Sequence, residues 1–189
     1  MRKINGRPLV HYPFSALKNC PHVTKKICST DSKTILKLAK DYNIEAPFLR
    51  PASLSSDKSQ IKDVIKHSLE CIDEAFSHVL LLQPTSPTVT TKDILMAINK
   101  IKKTKADTLI TGYKEDKPHP DYFFKFSKYD DNIDWLLRDK NSTNRQDFDD
   151  YFVRTGLLYL FKVENLSKYD SIYGSRTTAI ILPKSKSIS

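Results

Sequence analysis

Apolar residues along the chain fall into two alternating patterns. In the first they recur at three- and four-residue steps, as on a helix with one buried face. Residues 31–42 set Ile35, Leu36, Leu38, Ala39 and Tyr42 on one broad face, with Asp31 as the expected N-cap. Residues 57–76 carry the strongest such pattern, through Ile61, Val64, Ile65, Leu69, Ile72, Ala75 and Phe76, and Asp57 with Gln60 has capping-box spacing. Thr90 with Asp93 repeats that start signal ahead of Ile94, Leu95, Ala97, Ile98 and Ile101. A further helix is expected within residues 9–17, where Pro13 makes it start late or kink. In the second pattern the apolar residues run on without polar alternation: Lys26-Ile27-Cys28, Val79 to Leu82, Thr108 to Thr111, Leu157 to Phe161, and Thr178 to Leu182. Runs of that kind suit strands buried on both faces. Strands alternating with helices predict one α/β domain over residues 1–189, with three layers and a mostly parallel sheet. Ligands of such sheets bind beyond the carboxyl ends of the strands.

The rhythm breaks at about residues 114–152, which are rich in Asp, Asn, Lys, Tyr and Phe and show no clean period. This stretch is expected to leave the sheet as a small lobe or an oligomer arm. Hydrophobic residues at 39% and charged residues at 28% supply a core and exclude a disordered chain. The net charge of +9 points to an anionic partner: nucleotide, nucleic acid or membrane surface. No run approaches the roughly 18 apolar residues of a membrane span. The opening Met1 to Gly6 has no hydrophobic signal region. Three cysteines, Cys20, Cys28 and Cys71, form no C-x-x-C, which fits reduced thiols in a cytoplasmic protein.

Three segments could carry chemistry. In Leu81-Leu82-Gln83-Pro84-Thr85-Ser86-Pro87 a buried strand runs through a proline-bounded turn into a capped helix. That puts the Gln83 amide and the Thr85 and Ser86 hydroxyls at the ligand edge; a rigid turn satisfying its own backbone is the plainer alternative. Arg50, flanked by apolar residues and followed by Pro51, suits a phosphate or a base edge, or is a surface arginine in a loop. Arg145, between Asn144 and Gln146, could clamp a carboxylate bidentately, or be solvated. His119, between Pro118 and Pro120, could act as acid or base, or be an incidental histidine of a proline-bracketed loop; the other histidines lack metal-ligand spacing. No G-x-S-x-G, Walker A or G-x-G-x-x-G occurs. Asp121 to Phe126 interleaves aromatics with a lysine, as single-strand binders do, or as a strand packing alternate rings does.

In order and spacing these segments resemble the acylneuraminate cytidylyltransferases, the CMP-sialic acid synthetase family. Gly6-Arg7-Pro8-Leu9 is similar to that family's G-[KR]-P-L, and Ser29-Thr30-Asp31 to its S-T-D at a strand end. Arg50-Pro51 through Asp57 resembles R-P-x-x-L-x-x-D, and Gln83 to Pro87 is Q-P-T-S-P, the most specific piece. Arg145-Gln146 followed by Gly156 and Tyr159 resembles R-Q…N-G-x-x-Y, with Thr155 in place of the Asn. The resemblance implies a nucleotide-diphospho-sugar transferase (Rossmann-like) fold. It implies transfer of CMP from CTP to the anomeric hydroxyl of a sialic-acid-like keto-sugar acid, with release of pyrophosphate. It also implies Mg²⁺ and a homodimer whose arm comes from the 114–152 excursion. By resemblance Arg50, Ser59 and Ile61 would face the nucleotide. Gln83, Pro84, Thr85, Ser86, Arg145 and Tyr159 would face the sugar acid. No residue is assigned to acid, base or nucleophile. The family's A-R-x-G-S-K phosphate loop and its metal-binding D-x-D have no counterpart in these 189 residues. Residues 1–189 are therefore expected to bind a sugar acid weakly and to turn over CTP negligibly. An impaired relative that binds a sugar acid or a partner is the alternative, and a basic nucleic-acid-binding domain a remoter one.

Overall fold

In the computed structural model, which describes residues 2–115, 117–126, 132–136 and 149–187, the chain opens with a two-strand hairpin. Strands β1 (Lys3–Ile4) and β2 (Arg7–Pro8) are joined by Asn5 and Gly6 at φ 48° and 74°. Positive φ at both central residues gives the turn the twist that a tight hairpin needs. Helix α1 (His11–Lys18) follows, with Pro13 in its first turn, where a missing N–H costs no helical bond. Helix α2 (Lys33–Lys40) is capped by Ser32, whose hydroxyl accepts from the Ile35 N–H, so the cap is one residue later than expected. Helix α3 (Ile61–Ile72) is shorter than the apolar pattern: its N-cap is Gln60, and Asp73 at φ 51° ends it before Ala75 and Phe76.

Strand β3 (His78–Leu81) leads through the Gln83–Ser86 turn into helix α4 (Thr91–Thr104), which starts with the expected capping box of Thr90 and Asp93. Asp93 is almost fully buried, and Lys186 reaches it at 2.5 Å. Strand β4 (Thr108–Glu115) is followed by a small hairpin of β5 (Phe124–Phe126) and β6 (Ile133–Trp135), all six residues of which are exposed. Strand β7 (Tyr151–Lys162), helix α5 (Glu164–Lys168) and strand β8 (Thr177–Ile181) complete the order.

The main sheet has the order β3-β7-β4-β8. Strands β3, β4 and β8 share one direction, and the long β7 runs against them between β3 and β4. Side chains alternate across the sheet. Leu80, Leu82, Leu109, Leu158 and Leu160 pack with Ala16 of α1 and Ile94, Ala97, Ile98 and Ile101 of α4. On the other face Val79, Leu81 and Phe161 pack with Ile65 of α3 and Leu166 of α5. Helices therefore cover both faces, as continuous apolar strands require. A third cluster, Val10, Phe14, Cys28, Ala39 and Ile44, joins α1 to α2 beside the sheet. The expected strand at residues 26–28 reduces to a single parallel bridge, Ile27 to Glu45.

Strand β7 is not regular. Between the pairs Leu109–Leu160 and Thr111–Thr155, β4 advances two residues while β7 passes five. The extra residues, around Gly156 to Leu158, bulge out of the ladder. Thr111 secures the bulge by accepting from the Thr155 hydroxyl at 2.7 Å. Bulges of this kind re-aim side chains, and they concentrate next to sites.

Candidate functional site

Beyond the carboxyl end of β3 lies a cavity of about 360 Å³. Three segments wall it. The first turn of α3 brings Gln60, Ile61 and Lys62; β3 and its turn bring Leu81 and Gln83; the β7 bulge brings Arg154 and Tyr159. The loop after α5 closes it with Asp170 to Tyr173. Tyr159 pairs with Leu81 across the sheet, so its ring stands beside the point where β3 gives way to Gln83.

The Gln83 turn is locked onto the bulge. The buried Ser86 hydroxyl donates to the Gly156 carbonyl at 2.8 Å, and the Ser86 N–H donates to the Gln83 carbonyl. A side chain added at Gly156 would meet Gln83 Oε1 at 3.6 Å, an ordinary contact, so Gln83 lies directly over the bulge. Ser86 thus positions Gln83 and does not itself face the cavity, while Pro84 and Thr85 are exposed beyond it.

Charge in the cavity is unevenly matched. Asp170, at φ 48°, takes both Lys62 and Lys66 of α3. These two ammonium groups hold its carboxyl down at about 2. Arg154 donates to the Tyr173 hydroxyl, and its guanidinium lies 6.0 Å from the centre of that ring. Burial pushes the Tyr159 hydroxyl above its ordinary range, against the pull of the nearby Arg154 charge.

Arg50 stands elsewhere. Its backbone N–H donates to Thr30 O at 2.9 Å, its Nε donates to Ser55 Oγ at 3.2 Å, and its Nη2 lies 3.9 Å from Asp31. It does not line the cavity. In the segment that Arg50 bonds, one residue before Thr30, Ser29 Oγ is buried with no hydrogen-bond partner. The Ser59 hydroxyl is taken up in its own turn, accepting from the Ser56 N–H and donating to Ser53 O. Of the residues expected from the sequence, Ile61, Gln83 and Tyr159 come together in the cavity, and Arg50 and Ser59 do not join them. Arg145, with Asn144 and Gln146, lies outside the described residues. Lys62, Arg154, Asp170 and Tyr173 escape a sequence reading. Arg154 had one usable signal, a lone cation two residues before the glycine of a strand. The 170–173 loop had none.

Among the described residues no group of three His, Cys, Asp or Glu side chains could hold a metal ion. The one carboxylate at the cavity, Asp170, is already held by two lysines, so the described residues do not fit a Mg²⁺ site. Nor is any described helix long and apolar enough to cross a membrane.

A largely one-way sheet covered by helices on both faces, with a polar cavity past its strand ends, has the architecture of the nucleotide-diphospho-sugar transferases. A solved structure of CMP:2-keto-3-deoxy-manno-octonic acid synthetase, complexed with CTP, superposes with a TM-score of 0.64 at 11% identity. That match covers 96% of this chain and 82% of the other. The cytidylyltransferase family profile matches residues 1–182, and the chain belongs to that family of enzymes. It is 28% identical over 189 residues to the post-translational flagellin modification protein B of Campylobacter coli, covering 98% of this chain and 79% of that one. It is 24% identical over 184 residues to a pseudaminic acid cytidylyltransferase of Campylobacter jejuni, covering 95% and 78%.

Proposed function

We propose that the protein transfers CMP from CTP to the anomeric hydroxyl of a sialic-acid-like keto-sugar acid. The observation that carries this reading is the convergence of Ile61, Gln83 and Tyr159, from three distant segments, on one polar cavity in a chain of the cytidylyltransferase family. In the reaction the anomeric oxygen forms a bond to the α-phosphorus of CTP, the bond to pyrophosphate breaks, and the hydroxyl proton leaves to solvent. The cavity offers the sugar the Gln83 amide, two tyrosines and an arginine, with Leu81 and Ile172 as apolar wall. Arg50 and the turn through Ser59 to Ile61 form the nucleotide side, a reading supported by the unpartnered Ser29 hydroxyl one residue before Thr30, whose carbonyl takes the Arg50 N–H. Mg²⁺ would arrive with the triphosphate, since no described carboxylate cluster awaits it. The protein would work in the cytoplasm as a homodimer, its exposed β5–β6 aromatics against the partner.

A pyrophosphate-release assay with CTP tests this reading against N-acetylneuraminic, legionaminic and pseudaminic acids and Kdo. CTP- and sugar-dependent release, far slower than that of a relative carrying the phosphate loop and the D-x-D, and abolished by chelation and restored by Mg²⁺, is the expected result. Absence of release together with absence of sugar-acid binding would overturn it.

A further inference from the structure

Seven polar side chains line the cavity besides the serine of its loop, and only three of them are charged: Lys62, Arg154 and Asp170. Asp170 is committed to Lys62 and to Lys66. Among the described residues no carboxylate pairs with Arg154. Its partner is the neutral Tyr173 hydroxyl, which uses one of five N–H donors and leaves the planar fork able to take a second acceptor.

The backbone explains how this cation comes to face the cavity. Arg154 lies on the outer half of β7, paired with Gly112 of β4. The strand bulges immediately afterwards, at Gly156, and re-enters the ladder beside β3 at Tyr159. Without the extra residues Arg154 and Tyr159, five apart, would project from opposite faces of a pleated strand. The bulge is what puts both on the cavity, with Gln83 pinned above the same glycine through Ser86.

We propose that the Arg154 guanidinium is the group that receives the carboxylate of the sugar acid, with Tyr173 as its positioning residue. The inference rests on the reading above that the cavity takes a keto-sugar acid, and it gives Arg154 the role that family resemblance gives to Arg145. A guanidinium without a carboxylate of its own, set among amide and hydroxyl groups, matches a ligand with one carboxylate and many hydroxyls. Lys62 is the weaker candidate, because an incoming carboxylate would have to compete with Asp170 for it.

The test is calorimetric binding of N-acetylneuraminic, legionaminic and pseudaminic acids and Kdo, each as free acid and as methyl ester. The chain is compared with its Arg154→Ala, Arg154→Lys, Tyr173→Phe and Arg145→Ala variants. Wild type should prefer acid over ester by about tenfold or more, the scale of a charge-assisted hydrogen bond. Arg154→Ala should erase that preference while ester binding stays within about twofold. Arg154→Lys should keep part of it, since charge survives and the fork does not. Tyr173→Phe should lower the acid-to-ester ratio, a change that mere loosening of the fold would not produce. The proposal is overturned if Arg154→Ala keeps the acid preference, if it weakens acid and ester alike, or if only Arg145→Ala erases the preference. A wild-type chain that binds none of the four acids defeats the reading of the site itself, and this proposal falls with it.

Discussion

Cys28 is buried at the start of the segment that leads to Arg50, and burial pushes its thiol up to about 11 even though the Arg50 charge pulls the other way. Cys20 is buried more deeply still, at 1% exposure, whereas Cys71 is exposed on the last turn of α3. Thiolate is the reactive species, so below about pH 11 Cys28 presents little of it. Iodoacetamide at neutral pH, followed by peptide mass analysis, should find Cys71 alkylated and Cys20 and Cys28 spared until the chain unfolds. At this same scale the sequence was uneven as a guide. The place of Gln83 was legible, because a polar amide closes an apolar run and opens a proline-bounded turn at the strand end. Ser86 was legible as part of that turn, but its bond goes to Gly156, 70 residues away, which no local pattern announces. Tyr173 and Asp170 were invisible, since a loop residue enters a cavity only through the packing of its neighbours.

Helix α3 joins the cavity to the core. Val64 and Ile65 are buried, Leu69 is half-buried against the cluster of Phe161 and Leu166, and Ile61 opens onto the cavity at 36% exposure. The apolar stripe was read from the sequence as one buried face; its first residue is exposed because the helix begins at the site. Ile65→Ala should cost about 2–5 kcal/mol in urea unfolding, and Leu69→Ala less, because less of it is withdrawn from water. The Asp170 link between this helix and the loop after α5 carries a pH signature. Its carboxyl sits at about 2 in the folded chain against an ordinary 3.8. A depressed pKa means the ion pair stabilises the fold fully above 3.8 and loses that contribution as pH falls through about 2. Melting curves of Asp170→Asn and the parent chain should therefore differ above pH 4 and converge as pH approaches 2, with a small gap throughout because the pair is exposed. The four strands of the main sheet were legible from their unbroken apolar runs. Their directions were not, because a run buried on both faces reads the same whichever way it points, and so the reversed β7 could not be told from its neighbours.

Over the whole molecule, exposed apolar surface gathers on one excursion. Tyr122, Phe123, Phe124, Phe126, Ile133, Trp135 and Leu136 lie there, with Phe152 and Val153 of the outer β7 in addition. Contiguous exposed apolar side chains of this kind are expected to meet a second copy of the chain. Light scattering at micromolar concentration should give twice the chain mass, and charged substitutions at Phe126 and Trp135 together should halve it. The bulge in β7 has a further consequence, in time rather than in space. It divides one strand into two stretches of unequal company. Residues 158–162 are flanked by β3 and β4 and largely buried; residues 151–155 are laddered to β4 alone and mostly exposed. Amide hydrogens of the inner stretch should exchange only with global unfolding, and those of the outer stretch far sooner, by local opening. Hydrogen-exchange mass spectrometry would resolve the two within a single strand. Arg154 belongs to the quick-exchanging stretch and Tyr159 to the slow one, so a ligand touching both would fasten the restless half of the strand to the quiet half, and the outer amides should slow when it binds.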